Sequence, residues 1–309
     1  MALDLSPIDE GLLKEITGHS CMSDMAVNVR KDGQLLERHD NANVEISTKS
    51  DKPGIDIVVK PNVKGEKIYI PVIVTKSGLK DIVYNTFHIG ENSNVEIIAG
   101  CGIHNDSHEN SQHDGIHEFI LGKGSRVTYI EKHYGEGIGK GERVLNPVTK
   151  VTLGEGSFCQ MDMIQLKGVS HTKRDTIAQL GKNSKLILTE KLLTHGKQWA
   201  NSDMKIELNG EDSNVQVISR SVAKDDSVQT FNPLVIGNKP CHGHVQCDAI
   251  IMGNAKVKAV PGIEAACEDA QLVHEAAIGK IEGDQIIKLM TLGLTQEQAE
   301  EEILNDFLS

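Results

Sequence analysis

The chain has 309 residues, a hydrophobic fraction of 39% and a net charge of −12. That length allows a full core without disulfide or metal staples, and the acidic balance argues against DNA, RNA or an anionic membrane surface as the main partner. No apolar run approaches the roughly 18–20 residues that span a bilayer, and MALDLSPIDEG opens without a basic, then apolar, signal region, so a cytoplasmic location is expected.

One Trp, four Tyr and five Phe leave the core to Val, Ile and Leu. A narrow core of stacked, similar layers suits that choice. In a reducing compartment the six cysteines, Cys21, Cys101, Cys159, Cys241, Cys247 and Cys267, are thiols. None forms a C-x-x-C pair, which disfavours a closed zinc site or a thioredoxin-like redox pair.

In chain order, a short helix comes first. Ser6 is placed to cap it, Pro7 to begin it, Leu12, Leu13 and Ile16 to form its apolar stripe, and Gly18 to end it. GIDIVVK (54–60) and KIYIPVIVT (67–75) alternate and are rich in β-branched residues, which predicts strands. Residues 1–80 thus read as a helix plus short strands.

A repeated phrase follows. It reads IGENSNVEII from Ile89, LGKGSRVTYI from Leu121, LGEGSFCQMD from Leu153 and LGKNSKLILT from Leu180, at spacings of 32, 32 and 27 residues. Looser copies start at Leu208 and Ile251. Each is an apolar residue, a Gly-containing turn and an alternating strand. A period of this length without long helices predicts a β-solenoid over 81–267, rather than an antiparallel sandwich whose turns recur every 8–12 residues.

The segment 268–309 reads as helical. Asp284 is placed to cap a helix carrying Ile286, Ile287, Leu289 and Met290. Thr295-Gln296-Glu297-Gln298 is a capping box opening a second helix with Ala299, Ile303, Leu304 and Phe307 on one stripe. Two helices this short need a body or a partner to dock on.

Three groups of residues could carry chemistry. HGHVQCDAIIMG (242–253) puts Cys247 on a strand, with His242 and His244 upstream, and AQLVHEAAIG (270–279) puts His274 and Glu275 where strand gives way to helix. Cys, His and carboxylate are iron- or zinc-binding types, although a lone strand Cys is more often a small core residue. GCGIHNDSHENSQHDGIHEF (100–119) carries His104, His108, His113 and His117, and invites either a metal site or an exposed polar loop. In the same segment Cys101 lies between two glycines as a candidate sulfur acceptor. Cys159 and Cys21 read as structural. GEGIGKGE (135–142) lacks the phosphate-loop pattern, which disfavours ATP binding, and no Ser/His pair has triad surroundings.

At these residues the sequence resembles the SufB/SufD family of iron–sulfur cluster assembly scaffolds, in a compact single-gene SufB-like form, over about residues 80–309. VQCDAIIMG (245–253) and LVHEAAIGKIEGDQIIKLMTLGLTQEQAEEEIL (272–304) carry the resemblance, with weaker matches at 97–105 and 129–137. It implies a mainly β chain: a right-handed parallel β-helix with a short N-terminal α/β region and a C-terminal helical segment. It implies a homodimer through the end of the β-helix, and a SufC-type ABC ATPase docking on about 280–309, through Ile286, Ile287, Met290, Leu294, Ile303, Leu304 and Phe307.

The resemblance also implies that Cys247, His274 and Glu275 bind the nascent cluster and metal, and that Cys101 accepts sulfur. Val273 stands where larger SufB proteins often carry an acidic residue. The expected cargo is a transient iron–sulfur cluster, absent from the protein as purified. The expected partners are the ATPase, a second copy, a cysteine desulfurase or other sulfur donor, and apo-protein acceptors, with neither nucleic acid nor membrane. On this reading the chain is a scaffold and not an enzyme. The rivals are a ligand-free SufD-like adaptor for the ATPase, a zinc-dependent hydrolase using the 104–117 histidines, and a β-helix enzyme acting on polysaccharide, which the scarcity of aromatics disfavours.

Overall fold

The structure, a computed structural model, describes residues 5–18 and 25–309; Cys21 lies outside them. Helix α1 spans Pro7–Thr17. The strands that follow are β1 (Ala26–Lys31), β2 (Gln34–His39), β3 (Val44–Thr48), β4 (Gly54–Val59), β5 (Lys64–Val74), β6 (Lys80–Ile89) and β7 (Asn94–His104). Next come β8 (Ser111–Leu121), β9 (Arg126–Glu136), β10 (Arg143–Leu145), β11 (Val148–Leu153), β12 (Phe158–Lys167), β13 (His171–Leu180) and β14 (Lys185–Thr194). The last are β15 (Trp199–Leu208), β16 (Ser213–Ala223), β17 (Val228–Gly237), β18 (Cys241–Ile251), β19 (Lys256–Ala259), β20 (Gly262–Ala265) and β21 (Ala270–Gly279), then α2 (Gly283–Thr291) and α3 (Gln296–Leu308).

Successive strands alternate between two sheets. One runs β2-β1-β5-β7-β9-β12-β14-β16-β18-β21, and the other β19-β17-β15-β13-β10-β8-β6-β4-β3, with β11 and β20 continuing β10 and β19. Apart from the β1/β2 and β3/β4 hairpins the pairings are parallel. The chain is a β-solenoid of about eight turns.

The repeated phrase is the corner of each turn. Its third turn residue adopts the left-handed conformation at Asn92, Gly124, Gly156, Asn183 and Asp212, where only Gly, Asn and Asp are tolerated readily. The following serine turns its hydroxyl back to donate to the corner glycine carbonyl, as in Ser93 to Gly90 (2.6 Å) and Ser184 to Gly181 (2.7 Å). One local geometry therefore sets the same coil over and over.

Because side chains alternate, every second residue faces the interior. Residues in register on neighbouring strands stack into columns. Ile68, Ile97, Tyr129, Met161, Leu188, Val217 and Val245 form one such column of the β5–β21 sheet. It belongs to the aliphatic core, which also takes the stacked Phe87 and Phe119 rings, 4.4 Å apart.

The outer face of this sheet is covered at two places. Leu12 and Ile16 of α1 lie over Gly100 and Gly102 of β7, where a Cβ on either glycine would come within 3.2 Å of them. Leu304 and Leu308 of α3 pack with Val222, and with Leu193 and Ile250 beside it. Helix α1 has the expected Ser6 cap, and α3 the expected Thr295/Gln298 capping box. Helix α2 departs from expectation. Glu282 occupies its cap position without a side-chain cap bond, and Asp284 lies inside the first turn, where its charge meets the helix dipole instead.

The stretch 270–279 is also strand, not helix. Three of its ten residues are Ala, a strong helix former, yet its backbone pairs with β18 from Cys241 to Ile250, and that pairing overrides local propensity. No helix among the described residues is long and apolar enough to cross a membrane.

Candidate functional site

Cys247 and His274 meet at the C-terminal end of the coil. Cys247 faces inward from β18, and its column runs Glu131, Met163, Glu190, Ser219, Cys247. His274 faces inward from β21 and ends the aliphatic column, in register with Val245. The Cys247 Sγ lies 3.3 Å from His274 Nε2. Burial, with the charges of Asp248 and Glu190, pushes the Cys247 thiol up to about 12. It is therefore a thiol at neutral pH unless a cation or base lowers it, and the His274 imidazole is the group beside it.

Glu275 does not join them. Adjacent strand residues point to opposite faces, so its side chain leaves from the outer face, where His244 Nε2 is 3.5 Å from its Oε2. It lines an open outer groove of about 770 Å³ with Gln246, Asp248, Ile278, Lys280 and Phe307. His242 is likewise on the outer side and exposed. Among the described residues no group of three or more His, Cys, Asp or Glu is arranged to hold a metal ion. Among the described residues strand β21 is the edge of its sheet, with a row of backbone groups that pairs with no further strand.

Cys101 faces inward from β7, in the column next to that of Cys247; in register with it follow His133, Gln165, Leu192, Ser221 and Ala249. It is buried, and burial together with Asp81, Glu131 and Asp114 pushes its thiol well above the ordinary cysteine range. The four histidines of 104–117 are divided by strand alternation and chain path. His104 lies near the surface between Asp106 (2.9 Å) and Glu136 (3.1 Å), and His108 is exposed. His113 and His117 point into the coil. They do not form one site.

Between the two cysteines the interior is polar, which the sequence reading missed. Arg174 on β13 donates to Glu131 Oε2 (2.6 Å) and approaches His133 Nδ1 (3.3 Å) and Glu190 (3.7 Å). Ser202 donates to Glu190 at 2.7 Å. Burial alone would raise the Glu131 carboxyl, but His133, Arg174 and His117 outweigh it and hold it far below the usual carboxylate range. Burial pushes His117 and His133 down to about 4, so both are neutral. Buried oxygens of Asn85, Thr149, Gln165, Thr176 and Gln229 have no hydrogen-bond partner among the described residues. Polar atoms of this kind mark an interior suited to small polar species, in contrast to the aliphatic half. A signal was available: Glu131 and His133 share strand parity with Val127 and Tyr129 in RVTYIEKHY.

The family model for the SUF system FeS cluster assembly, SufBD core domain, matches residues 73–307. The chain belongs to the SufBD family. The matched span begins in β5 and ends in α3, so it takes in both cysteine sites of this SufBD solenoid. Among curated proteins, an iron–sulfur cluster assembly SufBD family protein of Pyrococcus horikoshii is 30% identical over 82% of this chain and 77% of its own length. One of Methanocaldococcus jannaschii is 27% identical over 82% of this chain and 79% of its own. One of Methanothermobacter thermautotrophicus strain Delta H is 29% identical over 71% of this chain, which spans only 53% of that relative. The chain thus covers about half the length of some relatives it matches.

Proposed function

We propose that this chain is a scaffold on which iron–sulfur clusters are built, with sulfur accepted at Cys101 and iron and sulfur, as cargo, assembled at Cys247 and His274. The observation that carries the reading is the 3.3 Å approach of Cys247 Sγ to His274 Nε2 at the open end of the coil. One thiol and one imidazole are too few donors for a cluster. A second copy meeting the free edge of β21 supplies the same pair again. Mixed Cys/His ligation holds a cluster less firmly than four thiolates, which suits a protein that must give it away.

Glu275 enters this proposal only as a donor from the outer face, reached by another copy or after movement of the edge strand. The proposed role of α2 and α3 is to bind a SufC-type ABC ATPase. Ile287 (58%) and Met290 (44%) are exposed on α2, whereas Leu304 is buried against the solenoid, so α3 ties that surface to β16. ATP-driven movement of the helices would then reach the strands that hold Cys247. The cysteine desulfurase or other sulfur donor and the apo-protein acceptors complete the proposed set of partners, and the cytoplasm is the proposed compartment.

Anaerobic reconstitution with iron and a sulfur source tests the reading. The full chain with its ATPase is expected to develop a visible cluster chromophore, and Cys247→Ser to lose it. An unchanged spectrum in Cys247→Ser removes Cys247 from the site.

A further inference from the structure

Cys101 lines a small cavity of about 20 Å³ together with Asn85, His113, Gly115, His117 and His133. That is room for one water-sized species. The hydrogen bonds around it place a proton on Nδ1 of both His113 and His117. Asp81 is held as a carboxylate: burial opposes this, but His113 and Arg30 outweigh it. Its Oδ2, 3.1 Å from His113 Nδ1, therefore accepts the Nδ1 proton, so that in the neutral ring the lone pair is on Nε2. Tyr129 donates to Glu131 at 2.9 Å, so His117 Nδ1, 2.8 Å away, must donate to the Tyr129 oxygen. His117 Nε2 is therefore an acceptor, and Asn85 Nδ2 donates to it at 3.4 Å.

Both Nε2 atoms border the space beside Gly115, where an added Cβ would lie 3.0 Å from His117 Nε2 and 3.7 Å from His113 Nε2. Asn85 Oδ1, buried and without a partner among the described residues, adds a third acceptor to the same lining. Acceptors that share a cavity with a thiol make a seat for a proton donor and a route for its proton.

We propose that the Asp81–His113 pair is the general base that activates Cys101, and that the cavity is the seat of the sulfur atom Cys101 receives. This rests on the reading of Cys101 as the sulfur acceptor and adds the groups that make it one. Asp81 is a positioning residue; it orients the ring and favours the imidazolium that forms. The donor is a persulfide, R–S–SH. His113 Nε2 takes the Cys101 proton, the thiolate attacks the terminal sulfur, the donor S–S bond breaks and a new S–S bond forms at Sγ. The proton returns from His113 to the departing R–S⁻. Cys101–SH and R–S–SH thus give Cys101–S–SH and R–SH, with no net oxidation or reduction.

The test is the rate at which a low-molecular-weight persulfide, such as cysteine persulfide, loads each cysteine of the full chain, read by mass spectrometry after alkylation. His113→Gln is expected to slow loading of Cys101 by about 100-fold, within the range of general-base effects. Asp81→Asn, of the same shape, is expected to slow it at least tenfold, and it answers the question if His113→Gln does not fold. The sign separates chemistry from loosening, because a loosened coil exposes a buried thiol and speeds its reaction. Unchanged or faster loading of Cys101 in the variants overturns the base assignment and leaves Cys101 as acceptor. No loading of Cys101 in the unaltered chain overturns both.

Discussion

Cys101 and Cys247 stand on adjacent inward columns of one parallel sheet, five strand steps apart along β7-β9-β12-β14-β16-β18. At ~4.8 Å per strand that is about 24 Å. Ser219 is the column residue next to Cys247, between it and Glu190, and its small side chain is buried. Ser219→Leu fills the polar half of the coil at that point. Loading of Cys101 by a persulfide is expected to persist, while sulfur and cluster at Cys247 are lost. Overpacking should cost about 1–3 kcal/mol of stability. Site-resolved mass spectrometry reads the first effect and urea unfolding the second; equal sulfur at Cys247 in the variant would mean that sulfur does not travel through the coil.

Acid should weaken the fold in two stages. His117 and His133 are pushed down to about 4 by burial, against ~6.5 in an unfolded chain. The unfolded chain binds more protons between those values, so the stability that the neutral rings contribute is complete above pH ~6.5 and lost as pH falls toward 4. Each ring is worth on the order of 3 kcal/mol across that window. Glu131 is depressed, so its contribution is complete above the ordinary carboxylate value and is lost only at lower pH. Glu190, raised by burial, has the opposite sign and costs stability once it ionises. Urea midpoints measured from pH 7.5 to 4.5 should fall with pH, and His117→Gln should flatten that fall.

The corners were legible because a turn is a local problem: Gly, Asn or Asp at one left-handed position and Ser after it recur in the text of the chain as they do in the coil. The meeting of Cys247 with His274 was legible only through family resemblance, since a separation of 27 positions carries no spacing rule. The polar interior was missed for a physical reason. Arg174 on one sheet and Glu131 on the other are 43 residues apart and become partners only when two turns stack. Read singly, each is a charge in a strand, and the usual inference for such a charge is a solvated face. Glu275 was grouped with His274 by adjacency, which strand alternation turns into opposition.

The corner geometry gives a stability prediction. Asn183 has φ 55°, where a β-branched side chain meets its own backbone. Asn183→Val is expected to cost about 1–2 kcal/mol, and Asn183→Gly to be near neutral. Ser184→Ala removes the 2.7 Å bond to Gly181 and should cost about 1 kcal/mol. Thermal unfolding of the three variants checks the order; a Val variant as stable as the parent would mean that the corner does not dictate the turn.

The two C-terminal helices give opposite expectations for substitutions of their apolar residues. Ile287 and Met290 are exposed on α2, so Ile287→Glu or Met290→Glu should leave stability within about 0.5 kcal/mol of the parent. Leu304 is buried with Val222 and Leu308, so Leu304→Ala should cost about 2–5 kcal/mol. If α2 is the face that an ABC ATPase grips, the two exposed changes abolish its co-purification while the melting temperature stays put. Leu304→Ala, by contrast, lowers both together, because α3 loosens from β16 and carries α2 with it. Retained ATPase binding in Ile287→Glu/Met290→Glu would move the docking surface elsewhere, and the outer groove lined by Glu275, Lys280 and Phe307 would be the next to probe.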